Sequence, residues 1–490
     1  MSIRDRLDRV FKGRDEFDLT SGDIARPLFY LSLPIVVTNL LQTAYNLADT
    51  YWIGRFSTDA LAAISFAFPM VFLLISFGMG LSVAGSVLVA QHTGAGEEDE
   101  AEYAASQTVT FSLVGSLFLG VLGYVAVGPF LGILGASPDV LPLARDYMQI
   151  ISLGLPFMFG FFVFVALMRG YGDTITPMLV MFGSVVLNIA LDPILIFGFE
   201  ANPLFTMLGL GNLQSQLFAM TGYTGSGIAG AAIATVFSRS LALIVGLYIM
   251  FDGSRGVQIH LWQMSPNFDF LERLLSIGIP ASIEGTGRAL SVNLLLIVVG
   301  MFPTTVVAAY GIGVRVFSVI FLPAIAVARG VETMTGQNIG AGKPARAERA
   351  ANIAAMAMFG ILTLAGVIAF VAAEPIIAVF TNDPDVIRVG VDFLYWVAPT
   401  FGFIGIMRSY TGSFRGAGET LTAAAIAVLM LGFIRLPFAY FASQSFDHGS
   451  TGIWMAFTVS NVAGAVIAYA WYRRSTWRDK SLARTVPADD

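Results

Sequence analysis

The sequence predicts an all-α integral membrane protein, with twelve transmembrane helices in two homologous six-helix bundles related by a pseudo-two-fold axis and both termini cytoplasmic. Three observations carry this. The 490 residues are 56% hydrophobic and only 12% charged, with mean hydropathy +0.75, whereas a soluble domain carries roughly 25% charge. Apolar runs of about 20 residues or more recur, each able to cross roughly 30 Å of hydrocarbon as a helix. The chain also repeats at a constant offset of 246 residues: Pro34–Gly54 against Pro280–Gly300, Gln91–Gly96 against Gln337–Gly342, Pro138–Val140 against Pro384–Val386, and Arg169–Thr174 against Arg415–Thr420. Four matches in one register imply two copies of one fold. A duplicated membrane bundle is the usual build of a secondary transporter, with function between the halves.

The spans fall at about 28–53, 60–90, 104–128, 146–168, 176–198 and 226–250, then 270–300, 306–335, 350–372, 390–412, 422–442 and 452–473. The first and seventh contain Pro34 and Pro280, which remove a backbone hydrogen bond, so either helix can kink, passively or coupled to function. The fourth and tenth run into the Arg-Gly-x-Gly turns, where Asp173 and Glu419 open the next helix as N-terminal caps favoured by its dipole. Between the fifth and sixth, the outer loop Ala201–Ser226 is 21 residues longer than its counterpart and has no Lys or Arg. A neutral insertion is expected there rather than a lid, because surface loops gain length cheaply. Some runs exceed one crossing, which predicts tilt or projecting ends. Continuous apolar runs such as Leu290–Val299 argue against barrel strands, which alternate.

The domain organisation that follows is 1–25, a cytoplasmic amphipathic segment with Arg4, Arg6, Arg9, Lys12 and Arg14 among acids; 26–260, the N-lobe; 261–475, the C-lobe; and 476–490, a cytoplasmic tail. Arg55, Arg145 and Arg388 are the only basic residues assigned to outer loops. Arg169, Arg255, Arg273, Lys343, Arg346, Arg349 and Arg415 are assigned to the inner side, as the positive-inside rule requires. A multi-pass protein of a prokaryotic plasma membrane, monomeric among its lipids, is expected. Three of the 27 basic residues are Lys and the soluble segments are acid-rich, a pattern of a salt-adapted or GC-rich organism. The absence of Cys excludes disulfides and thiolate chemistry. Gly336–Lys343 fails as a phosphate loop, since its glycine spacing is wrong and Pro344 replaces the Ser or Thr. His92, His260 and His448 fall in predicted loops. No enzyme, cofactor or nucleic-acid partner is expected, and ATP is not the predicted energy source.

Ionisable groups in hydrocarbon cost about 2.5–3.5 kcal/mol each, so those within spans are the candidates. In the first half these are Asp49 and Asp192, at comparable depth in the outer membrane. Tyr45 and Asp49 share one helix face at i, i+4, as do Asn188 and Asp192. Two carboxyls sharing a pocket away from water form a switchable proton site. Deprotonated, the oxygens of Asp49, Asn188 and Asp192 could instead hold Na⁺. Packing polars near the membrane surface are the structural alternative. The second half has Leu295 at the position of Asp49 and the Arg435-Leu436 stretch near that of Asp192. Its cavity candidates are Glu284, Arg288 and Arg435: Glu284 and Arg288, at i, i+4, can neutralise each other, and Arg435 is expected to pair with Glu284 or face the central cavity. The 19 Met and 40 Phe suit an adaptable apolar cavity, though most simply pack or face lipid.

Over about residues 20–475, the two six-helix halves, Asn46-Leu47-Ala48-Asp49 with Gly54, and Arg169-Gly170-Tyr171-Gly172-Asp173-Thr174 before Pro177 resemble the multidrug and toxic compound extrusion (MATE) transporters. The likeness is greatest to their DinF-like, archaeal-type branch. The resemblance implies an antiporter driven by H⁺ or Na⁺ that exports amphipathic, cationic organic compounds by rocking its lobes. Asp49 would be the coupling acid, assisted by Tyr45, Asn188, Asp192 and Thr235, with Pro34 permitting helix bending. Sodium-coupled NorM-like members have a Glu where this chain has Arg288 and an Asp within helix 10, which 393–415 lacks; a sodium site in the second half is not expected. A lipid-linked saccharide flippase of the same superfamily is the alternative, and would need a cationic cavity.

Overall fold

The computed structural model describes residues 12–133, 137–445, 449–478 and 481–482. Among these, twelve helices are long and apolar enough to span a membrane. They are α1 (Ala25–Phe56), α2 (Thr58–Ala95), α3 (Glu98–Ile133), α4 (Val140–Tyr171), α5 (Ile175–Phe197), α6 (Gly227–Asp252), α7 (Phe268–Val299), α8 (Thr304–Gly340), α9 (Pro344–Val371), α10 (Pro384–Gly416), α11 (Thr420–Gln444) and α12 (Gly449–Tyr472). Many overrun the ranges expected from hydropathy, because the charged and polar residues read there as punctuation cap or begin the helices. Glu98, Asp99 and Glu100 occupy the first turn of α3, where the dipole favours them. The Ser57, Asn267 and Asp383 side chains accept the first free N–H groups of α2, α7 and α10. Asp173 Oδ1 likewise accepts from Ile175 and Thr176, both at 3.0 Å. Both helices containing the repeat-related prolines are continuous through Pro34 and Pro280.

Three expectations meet a different geometry. His92 lies in the last turn of α2, its Nδ1 2.7 Å from Glu97, because the helix continues beyond the apolar run. The 201–226 loop holds two short helices, Pro203–Met207 and Gly211–Thr221. It is fastened to the end of α5 by buried Asn202, which donates to the Pro193 and Gly198 carbonyls. α11 is not uniformly α-helical: Leu429–Arg435 and Phe441–Ser445 are π-helical. Arg4, Arg6, Arg9, His448 and residues 483–490 of the tail lie outside the described residues.

α2, α3, α4, α5 and α6 pack with α1 into one bundle, and α7–α12 into the other. The bundles meet along α1–α8, α2–α7 and α2–α8. At the end where Leu19 and Leu482 pack against α8 and α2, this seam is locked by repeat-related residues. Gln91 Nε2 donates to the Gly416 carbonyl at 3.0 Å, and Gln337 Nε2 to the Gly170 carbonyl at 3.0 Å. One turn on, a Cβ at Gly94 would lie 1.9 Å from the Gln337 carbonyl oxygen, and one at Gly340 1.8 Å from that of Gln91. Only glycine allows this approach of two backbones. The segment preceding α1 reinforces the same end: Arg346 on α9 donates to the carbonyls of Ser21, Gly22 and Asp23.

Replacing Gly340 with Ala should therefore loosen or separate the locked end at a cost of about 1–3 kcal/mol, the usual range for overpacking. Gly183→Ala, where a Cβ meets nothing within 4 Å, is the control. Melting of the detergent-solubilised protein should fall for the first and not for the second; equal melting temperatures would mean that the seam is not tight.

Candidate functional site

The first cluster is built where α1, α5 and α6 meet. Asn188 and Asp192 are fully buried one turn apart on α5, and the Asn188 amide donates to Asp192 Oδ1 at 3.2 Å. From α1, Tyr45 donates to Thr235 Oγ1 of α6 at 2.7 Å. Asp49 lies one turn further along α1, beside Asp192. A bond between two carboxyls needs one proton between them. Asp49 Oδ1, Asp192 Oδ2 and Asn188 Oδ1 are buried without a protein hydrogen bond, so hard oxygen atoms stand together with spare lone pairs. The five residues expected to couple an ion, Tyr45, Asp49, Asn188, Asp192 and Thr235, are thus neighbours, and the orphaned oxygens fit either a proton or Na⁺. Pro34 lies about four turns away on α1, its carbonyl accepting from Thr38 at 2.9 Å.

Arg239 completes this pocket and was missed in the sequence-based inventory of ionisable groups. It is 2% exposed in the middle of α6, donates to Gln42 at 2.7 Å, and stands over the rings of Tyr45 and Phe161 at 4.9 and 5.0 Å. The available signal was a single Arg one turn after Thr235 inside an apolar span.

The second cluster joins the lobes beside the locked end. Glu332 on α8 is 1% exposed and takes Arg415 Nε at 3.0 Å, Arg329 at 2.8 Å and Arg169 at 4.0 Å. Glu284 on α7 takes Arg415 Nη1 at 3.0 Å on both carboxylate oxygens, and Arg408 at 3.5 Å. The geometry distributes the expected partners differently. Glu284 forms its direct ion pairs with Arg408 and Arg415 of α10 rather than with Arg288, which acts on it only at longer range. Arg435 does not pair with Glu284; Ser460 and Asn461 of α12 hold it at 2.8 and 2.9 Å. Arg169, half-buried, and Arg415, buried, both join this network rather than standing in water. Glu332, Arg329 and Arg408 were overlooked because they sit singly in long apolar or Gly-rich runs.

Between α2 and the C-terminal bundle opens a cavity of about 680 Å³, a volume typical of small-molecule sites. Arg288, Arg408 and Arg435 reach its wall, as the cavity alternative for Arg435 required, while Glu284 stays behind it. Among the described residues no group of three or more His, Cys, Asp or Glu could hold a metal ion.

The family model described as MatE matches residues 34–194 and 280–441. The chain is 29% identical over 472 residues to the "Probable multidrug resistance protein YpnP" of Bacillus subtilis, covering 95% of this chain and 98% of that protein. It is 28% identical over 459 residues to the "FAD transporter" of Shewanella oneidensis, covering 93% and 96%. A solved structure titled as the outward-facing conformation of a multidrug resistance MATE family transporter superposes with TM-score 0.83 at 23% identity, over 95% of this chain and 98% of that one.

Removing one partner from the buried ionic network should cost more than any exposed change. Arg415→Gln leaves Glu284 and Glu332 undercompensated and is expected to destabilise the protein by about 3–5 kcal/mol, read as lost folded yield on size-exclusion chromatography. Arg388→Gln, on an exposed i, i+3 pair, should be silent, and a folded, wild-type-like Arg415→Gln would contradict the network's role.

Proposed function

Because the chain belongs to the MATE family of multi-pass membrane transporters, we propose that it is a cation-coupled antiporter that exports amphipathic organic compounds by alternating access. The observation that carries this is the pairing of half-buried Asp49 with fully buried Asp192, each with one carboxylate oxygen enclosed and without a hydrogen-bond partner. Nothing in packing needs two carboxyls there. Ion binding drives transport only if it is worth more in one lobe arrangement than in the other. α1 offers that difference, since it carries Asp49 and also forms part of the seam with α8.

H⁺ is the coupling ion we favour. Arg239 already supplies a fixed positive charge beside the pair, which opposes a second bound cation but not a proton on a carboxyl. Na⁺ remains the second reading, on the strength of the three free oxygens of Asp49, Asn188 and Asp192. Placement near the DinF-like branch is supported by Asp49 and Asp192 both lying in the first half and by the lack of an acid in 393–415. The seam locked beside Leu19 and Leu482, together with cytoplasmic termini, corresponds to an outward-facing state. Pro34 would let α1 bend when the pair changes protonation. A monomer in a prokaryotic plasma membrane, with drug-like partners, completes the proposal; a salt-adapted source is supported by composition alone. Cationic compounds would have to bind on the Asp49 side of the cleft, away from the C-lobe arginines.

In everted vesicles, ethidium transport should follow an imposed ΔpH, and Asp49→Asn should insert normally yet lose at least about tenfold in gradient-driven rate, the scale of a lost charge-dependent step. Full transport by Asp49→Asn would sink the assignment. Drive by ΔNa⁺ alone would select the second reading.

A further inference from the structure

We propose that the C-lobe cavity binds the anionic group of an amphipath, an organic phosphate carried on an aromatic or otherwise apolar body. This rests on the reading of the protein as an alternating-access exporter and adds to it the chemistry of one substrate class.

The argument starts from charge. In the network behind the cavity, Arg169, Arg329, Arg408 and Arg415 share only Glu284 and Glu332. Two further arginines form no salt bridge with a carboxylate among the described residues, although Glu284 lies within electrostatic reach of one of them, Arg288. Arg288, half-buried on α7, makes no hydrogen bond or ion pair among the described residues. Arg435 is 7% exposed and is held only by the neutral Ser460 and Asn461. A guanidinium buried in a membrane bundle with neutral partners lowers stability. Apolar packing would be the cheaper solution, so the pair has its counter-charge supplied from elsewhere. The cavity wall is where both side chains arrive.

Local structure presents Arg435 on purpose-built backbone. Arg435 is the last residue of the π-helical stretch Leu429–Arg435 of α11, a distortion that recurs at functional positions. Arg408, the third arginine on this wall, has its Nε unpartnered. Together they offer the forked donors that suit a phosphate.

The rest of the wall suits an attached ring. Arg408 lies 4.6 Å from the Phe321 centroid and Arg435 4.2 Å from that of Phe457. Phe317 and Phe321 stack at 5.8 Å, and Phe68 and Phe72 of α2 close the opposite side. Two phosphate sources share this chemistry: a soluble nucleotide-like compound and the head of a lipid-linked phosphate.

The test uses full-length protein in nanodiscs with two intrinsically fluorescent probes that differ by one phosphate, flavin mononucleotide and riboflavin. The mononucleotide should bind at least about tenfold more tightly, the worth of a charge-assisted hydrogen bond. Arg288→Gln, which breaks no internal contact, should abolish most of that difference and leave riboflavin unchanged. Arg435→Gln should do the same, with melting temperature as the control for folding. Equal binding of the two probes, or a mononucleotide affinity untouched by Arg288→Gln, overturns the proposal. Displacement of the mononucleotide by an added polyprenyl diphosphate supports the site with a lipid source; no displacement supports it with a soluble one. ΔpH-driven ethidium export without phosphate-dependent binding would leave the antiporter standing and remove this proposal. Phosphate-dependent binding with no gradient-driven transport would do the reverse.

Discussion

Two Arg-Gly turns, one from each repeat, each perform two tasks, and the relation of the lobes depends on that economy. The glycine carbonyls, Gly170 and Gly416, receive the carboxamides of Gln337 and Gln91 from the opposite lobe. The arginines immediately before them, Arg169 and Arg415, turn into the buried network around Glu332 and Glu284. The contacts that close one end are therefore covalently adjacent to those that organise the interior. A side chain at either glycine would meet a neighbouring backbone, the Ser86 carbonyl oxygen at 2.4 Å or that of Glu332 at 2.2 Å.

From that common frame the lobes have diverged in chemistry. The N-lobe places two carboxyls, an amide and a single arginine between α1, α5 and α6. The C-lobe places leucine where Asp49 would be, at Leu295, and fills its interior with guanidiniums. The two repeats share the glutamine–glycine contacts that hold the halves together and differ at the positions of Asp49 and Leu295. A duplicated fold gains a two-sided site in this way, because each copy keeps its packing while its inward face is free to take a different charge.

The architecture was legible because hydrocarbon thickness imposes run length and duplication imposes register. The helix ends were not, since charged residues such as Glu98–Glu100 stabilise a helix terminus as well as they interrupt an apolar run. Asp49 and Asp192 were visible because polar partners flank them at i, i+4. Glu332 was not, because its partners come from α4, α8 and α10, and Arg415 looked like a turn residue because its glycines dominate the local pattern. The π-helical turns of α11 leave no trace in composition; a register shift is a property of hydrogen bonding alone.

The opposite polarity of the lobes has an electrical consequence. On the proposed mechanism, a proton entering by the acidic lobe would move positive charge inward. An anion leaving past the arginine wall would move negative charge outward, which is the same direction of current. The two movements add, and an inside-negative potential would do work on both, about 2.3 kcal/mol per elementary charge per 100 mV. Export of an anion on this scaffold would therefore be voltage-driven even where the pH gradient has collapsed, a regime in which an exporter exchanging one cation for another runs electrically idle.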